Sequence, residues 1–189
     1  MELFRNLRLK AGKSMLAGKY SRIRRKIHYT NFQSIKSIGI VWDASKPEEF
    51  LVLSRLHQKM AELNIELMIF GYFPGKELPN QYTAIRYLTC LKKNEKDFFY
   101  KPVSHEAARF IDRNFDVLID INFNGIFPLL YVTTLSKAGF KVGLTDSDPA
   151  KSPFDLMISM KSPVTLENYL DQVLYYLGMI NSDSTRKAV

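Results

Sequence analysis

Asp116 and Asp120 stand four residues apart in Phe115-Asp116-Val117-Leu118-Ile119-Asp120-Ile121, a run whose apolar β-branched residues predict a strand. Side chains alternate along a strand, so both carboxylates share one face with Leu118 between them. That spacing is too wide for paired-carboxylate acid–base work. Asp120, near the carboxyl end, can bind a ligand hydroxyl or, with Asn122 and Asn124, cap the following helix; Asx residues are usual in such turns, which favours capping. Thr145-Asp146-Ser147-Asp148 offers two carboxylates that can hold Mg²⁺ against substrate phosphates, although an ordinary polar turn before Pro149 explains it more simply. His28, His57 and His105 are dispersed and have no cysteine partners, so no metal site is expected. Cys90 lies in the apolar run Tyr87–Leu91 and reads as a small buried residue, with nothing nearby to stabilise a thiolate. The chain contains no G-x-S-x-G elbow, no G-x-G-x-x-G and no G-x-x-x-x-G-K-S/T. Serine-nucleophile chemistry, standard dinucleotide binding and P-loop hydrolysis therefore lack their motifs, and no cofactor is expected.

The elements that must position these residues alternate. Ser37–Trp42 reads as a first strand, and Asp43 follows it. Ser45 is expected to cap a helix running through Phe50, Leu53, Leu56 and Met60, with Pro47 and two acids in its first turn. Strands are expected at Ile65–Phe70, within Ala84–Leu91, at Phe115–Ile121, Lys141–Leu144 and Phe154–Met160. Helices are expected after Ser104, from about Phe127 to Ala138, and after Ser162 or Thr165. Such alternation predicts a three-layer, Rossmann-like α/β domain with a mostly parallel sheet. Ligands of such sheets bind beyond the carboxyl ends of the strands. That rule selects four loops: 43–46, 71–76, 122–125 and 145–151. Asp43, Asp120, Asn122, Asp146 and Asp148 are their candidate ligand-binding residues.

The charge is unevenly placed. The 189 residues carry a net charge of +8, yet residues 1–36 hold ten basic residues and a single acid, Glu2. The remaining residues hold 17 basic and 18 acidic side chains. The expected organisation is a basic helical arm over 1–36, an α/β domain over 37–180 and a polar tail over 181–189. In the arm, Phe4, Leu7, Ala11, Met15, Leu16, Tyr20, Ile23 and Ile27 recur at helical spacing, which predicts an amphipathic helix weakened at Gly12 and Gly18. Three readings follow: a helix packing its stripe on the body, an arm contacting nucleic-acid phosphates, or an arm adsorbing to an anionic membrane surface. With Phe4 as the only Phe or Trp before Phe32, the apolar anchor is modest, which leans toward nucleic acid. Lys10, Lys13, Lys19, Arg22, Arg24, Arg25 and Lys26 are then the phosphate contacts. A single cysteine and no apolar run of membrane-spanning length fit a cytoplasmic protein.

Phe115–Asp120, Phe127-Pro128-Leu129 and Ala138–Gly143, with Phe154–Ile158 and the helix over Leu166–Leu177, resemble a small uncharacterised bacterial family, a domain of unknown function. The resemblance implies a Rossmann-like fold and brings no catalytic residues. Residues 115–143 are also similar to one domain of heptosyltransferase-type glycosyltransferases, in which a D-x-x-I-D strand precedes a helix and a strand ending in Gly. The complete enzymes have two such domains, more than 189 residues can hold.

The leading expectation is a non-enzymatic binding protein whose arm contacts RNA, the ribosome included. Deleting residues 1–30 should then abolish binding and leave the body folded. The alternatives are an enzyme binding a nucleotide or sugar phosphate at the strand ends, and a peripheral membrane protein.

Overall fold

The computed structural model describes residues 2–23, 25–145 and 152–180. Six strands form one sheet: β1 (Ser37–Asp43), β2 (Glu66–Phe73), β3 (Leu88–Lys92), β4 (Val117–Ile121), β5 (Phe140–Leu144) and β6 (Leu156–Ile158). Every neighbouring pair is parallel, and the order across the sheet is β3-β2-β1-β4-β5-β6. This is a Rossmann-like α/β fold, and its order reverses between β1 and β4. The helices are α1 (Glu2–Tyr20), α2 (Phe50–Glu62), the short α3 (Asn80–Thr83), α4 (His105–Asp112), α5 (Phe127–Leu135) and α6 (Leu166–Met179).

Two apolar layers sandwich the sheet. Ile38, Ile40 and Trp42 alternate with Val41 along β1 and face Leu53, Leu56 and Met60 of α2 and Tyr169, Leu170 and Val173 of α6. Val41 and Leu118 face the other way, onto Ala107 and Phe110 of α4 and Leu129 and Val132 of α5. All five residues of β4 are buried, as a central parallel strand covered on both faces must be.

Local capping follows the residue chemistry. The Ser104 hydroxyl accepts from Ala107 N–H at 3.1 Å to start α4, and the Thr165 hydroxyl accepts from Asn168 N–H at 3.3 Å to start α6. The start of α2 differs from the expectation. Ser45 donates its hydroxyl to the Asp43 carboxylate at 2.6 Å, a 3₁₀ turn occupies Pro47–Glu49, and the α-helix begins at Phe50. Asp43 takes Ser45 for its own Asx turn, so no cap is left for the helix.

α1 lies on α5. Leu16 packs with Phe127 and Tyr131, flanked by the half-buried Leu9. The helix ends at Tyr20 rather than continuing to Ile27, and it is unbroken at Gly12. A Cβ at Gly12 would overlap the carbonyl oxygen of Phe99 and touch the Phe127 ring. Gly12 is therefore a close-approach residue: it lets the arm backbone seat against the body, at the helix-propensity cost expected from the sequence.

Candidate functional site

The order reversal between β1 and β4 opens a crevice beyond their carboxyl ends, where ligands of such sheets bind. The loop after β4 forms part of its floor, and the loop after β1 braces that loop. In the loop after β1, the Asp43 carboxylate, 2% exposed, accepts from the backbone N–H and hydroxyl of Ser45. Its other oxygen accepts from the side-chain amide of Asn124 at 2.9 Å, which ties the end of β1 to the loop after β4. In the loop after β4, Asn122 clamps the entry to α5: its carbonyl oxygen accepts from Ile126 N–H at 2.8 Å and its amide donates to the Ile126 carbonyl at 3.0 Å. Gly125 between them has φ +62°, a left-handed turn that glycine adopts without strain.

Asp120 stands behind that loop. It accepts from Asn122 N–H at 2.7 Å and from the Thr133 hydroxyl of α5, and its backbone carbonyl accepts from Tyr169 of α6 at 3.1 Å. Burial pushes its carboxyl up to about 6. Asp43, Asp120 and Asn122, three candidates from the sequence, thus converge at the switch point and hold its loops in place. Asp146 and Asp148 lie outside the described residues.

Cations enter the crevice from two other directions. α1 crosses its mouth and contributes Arg5 and Lys13. The loop between β3 and α4 contributes Lys96, which donates to the Tyr72 hydroxyl at 2.6 Å and lies 4.5 Å from that ring's centroid. Burial lowers the Lys96 pKa. The loop is shaped by Asp97, whose carboxylate accepts from Phe99 and Lys101 N–H at 2.8 and 2.9 Å. It is pinned to α1 by Arg8, which donates to the Phe98 carbonyl at 2.6 Å and stacks on the Phe98 and Tyr100 rings. The result is a cavity of about 360 Å³ lined by Arg5, Lys13, Lys96, Tyr72, Tyr100 and the first turn of α5. No carboxylate lines it, and no carboxylate pairs with its three cations, among the described residues. A second cavity of about 280 Å³ lies on the other side of Gly125, lined by Asp120, Asn122, Phe123, Leu144 and Thr145.

The seven arm residues expected to contact phosphates have different surroundings. Lys13 lines the crevice. Lys19 donates to the Tyr131 hydroxyl at 2.9 Å. Arg25 is held by the Asp155 carboxylate at 2.6 Å and by the carbonyls of Ala138 and Gly139, so its guanidinium joins the chain after α1 to β5. Lys10, Arg22 and Lys26 are exposed. Arg24 lies outside the described residues. Lys26 and Arg25 border a larger cavity, about 720 Å³, at the amino ends of β4 and β5.

Lys96 and Tyr100 were not among the sequence candidates, Tyr72 fell in the selected stretch 71–76 without being singled out and belongs to β2, and Arg5 was only one base in a basic stretch. The one local signal near them is the basic cluster Lys92-Lys93 with Lys96 after the third apolar run. Lys141 was not foreseen either. It is 1% exposed on β5, donates to the Thr134 carbonyl at 2.9 Å, and is pushed down to about 7 by burial and by the Arg25 charge, against the opposing pull of Asp155.

A family model described as "Family of unknown function (DUF6913)" matches residues 8–180, and the chain belongs to that family. No curated protein matches the chain. No solved structure matches it.

Proposed function

We propose that this DUF6913 protein binds a phosphate-bearing ligand in the crevice between α1 and the carboxyl ends of β1 and β4. The observation that carries the reading is the convergence of Arg5, Lys13 and Lys96, from two separate segments, on a cavity with no carboxylate among its described lining residues. Like charges gathered without counter-ions repel one another, and an anion relieves that repulsion. The start of α5 adds the positive end of a helix dipole. Tyr72 and Tyr100 supply aromatic surface for a base or sugar. A volume of about 360 Å³ suits a mononucleotide or sugar phosphate. The heptosyltransferase-like string over residues 115–143 contributes the loop before α5 and the first turn of α5, which line this cavity. The braced carboxylates Asp43 and Asp120 are positioning residues in this reading: they shape the floor and leave the ligand to the cations.

A second reading, RNA binding, has its own support. Lys10, Arg22 and Lys26 are exposed outside the crevice and have no carboxylate partner among the described residues. An RNA backbone seated at Lys13 could continue along them. Deleting the arm does not separate the two readings. It removes Arg5 and Lys13 from the crevice and uncovers Phe127 and Tyr131 as well.

Titration calorimetry on the full chain with ADP, glucose 1-phosphate and a single-stranded RNA oligonucleotide separates them. The small-ligand reading expects ADP or the sugar phosphate to bind, with affinity lowered tenfold or more by Lys13→Glu combined with Lys96→Met and unchanged by Lys10→Glu or Arg22→Glu. The RNA reading expects the oligonucleotide alone to bind, with Lys10, Lys13 and Arg22 all contributing. Binding of none of the three overturns both.

A further inference from the structure

The arm has a second face that the crevice does not use. At 3.6 residues per turn, Phe4, Leu7, Ala11 and Met15 fall in one stripe roughly 80° wide, rotated away from the Leu9, Gly12 and Leu16 face seated on the body. The sequence places Leu16 with that stripe, but the fold separates them. Leu16 is 5% exposed, whereas Phe4, Leu7 and Met15 are 72%, 57% and 42% exposed. An amphipathic helix normally turns its apolar stripe inward. Here the body takes a glycine-bearing face and leaves Phe4, Leu7 and Met15 to solvent. Phe98, 63% exposed, adjoins the same end of α1 through the Arg8 stack.

We infer that this face lies on an anionic lipid bilayer, with α1 parallel to the surface. Shape and charge of the face complement such a surface. The exposed apolar row runs from Phe4 to Met15, most of the helix, so the whole stripe can enter the interface at once without reorienting the domain. Lys10 is exposed on the same helix, and Arg22 and Lys26 are exposed in the segment just after it. Glu2 is the only acid among residues 1–36. A basic rim beside a modest apolar stripe matches a negatively charged headgroup layer, where charge supplies the attraction and insertion the grip. An uncharged protein groove would match the stripe but not the rim. No helix among the described residues is long and apolar enough to cross a membrane, so the contact is with one leaflet. The inference is independent of the crevice reading, because Arg5 and Lys13 lie on the other side of α1 and Lys96 lies in the loop between β3 and α4.

Vesicle flotation of the full chain tests it, with phosphatidylcholine vesicles and with phosphatidylcholine vesicles containing phosphatidylglycerol. The protein should float with the anionic vesicles only, and high salt should reduce the bound fraction. Phe4→Glu combined with Leu7→Glu should lower binding tenfold or more while circular dichroism and melting temperature stay unchanged, since both side chains are exposed. A Phe4→Trp variant should show a blue shift of the added emission on anionic vesicles. Failure to float with anionic vesicles, equal flotation with both kinds, or full retention by the Glu pair would each overturn the inference. Lys96→Met, which alters the crevice, should float as the wild type does.

Discussion

The sheet has a cavity bordered by basic residues at each end, and the two differ in what their charges are doing. The one at the amino ends of β4 and β5 is the larger, about 720 Å³, and is bordered by Arg25, Lys26, His28, Asp116 and Lys137. Most of those charges already have partners. Arg25 is held by Asp155 and two carbonyls, Lys137 lies 2.7 Å from Asp112, and the Asp116 carboxylate takes the backbone N–H groups of Lys36 and Ser37 and the Ser37 hydroxyl. The cavity at the carboxyl ends has half the volume, about 360 Å³, and three cations that no described carboxylate neutralises. The first is a seam where the segment after α1 is fastened to the domain. The second is a place where an anion improves the protein's own electrostatics. Size does not distinguish a site from a seam; uncompensated charge does.

The largest expected effect separates stability from binding. Asp155→Ala leaves the Arg25 guanidinium, in a side chain only 14% exposed, without its counter-ion and also removes the acceptor of Lys141 N–H. It should destabilise by about 3–5 kcal/mol in urea melts, as expected for breaking a buried pair, while ligand affinity at the opposite end stays unchanged. Lost affinity of equal size would mean that the two ends are not independent.

Gly12→Val comes next. The new side chain collides with the Phe99 carbonyl and the Phe127 ring, and overpacking of this kind costs about 1–3 kcal/mol. Because α1 carries Arg5 and Lys13, this variant should also lose ligand affinity and expose the arm to trypsin. Resistance to trypsin equal to wild type would show that α1 is not held where the account requires.

Lys96→Met should act on binding almost alone. A lost charge-assisted contact of about 1.4 kcal/mol is a tenfold weaker affinity. Stability should move by less than about 1 kcal/mol, because burial already disfavours the charged form.

The last expected effect is a shape in pH rather than a drop at neutral pH. The Asp120 carboxyl titrates near 6 in the folded chain against 3.8 when unfolded. The native state therefore binds more protons between those values, and stability should fall as pH rises from about 4 to about 6. Lys141 titrates near 7 against 10.5. Above 7 the unfolded state binds more protons, so stability should rise again toward pH 10. Lys141→Met should flatten the upper limb and leave the lower one. An unchanged upper limb in that variant would assign the rise to other groups.

The sheet and helices were legible because their signals are local. Apolar runs at Ser37–Trp42 and Phe115–Ile121 announced central strands, and Ser104 and Thr165 announced caps. The strand order was not legible, because no short pattern says that β4 pairs with β1. The site followed the same division. Asp43, Asp120 and Asn122 were recognisable as loop chemistry next to strand ends. Lys96 was not, since it meets Lys13 and Tyr72 only after β2, β3 and α1 have docked. Arg25 shows the reverse case. It looked like a free phosphate contact because its partner, Asp155, lies 130 residues away. Gly12 reads as a weak point within a helix and becomes a contact point only once Phe99 faces it.

The most direct test titrates inorganic pyrophosphate into three full-length proteins: the wild type, Lys13→Glu with Lys96→Met, and Lys26→Glu. The account predicts binding by the wild type and by Lys26→Glu at equal affinity, and binding at least tenfold weaker by the double variant. A loss confined to Lys26→Glu would place the anion at the other end of the sheet, and equal binding by all three or no binding by the wild type would show that Lys13 and Lys96 do not hold it; each result contradicts the account.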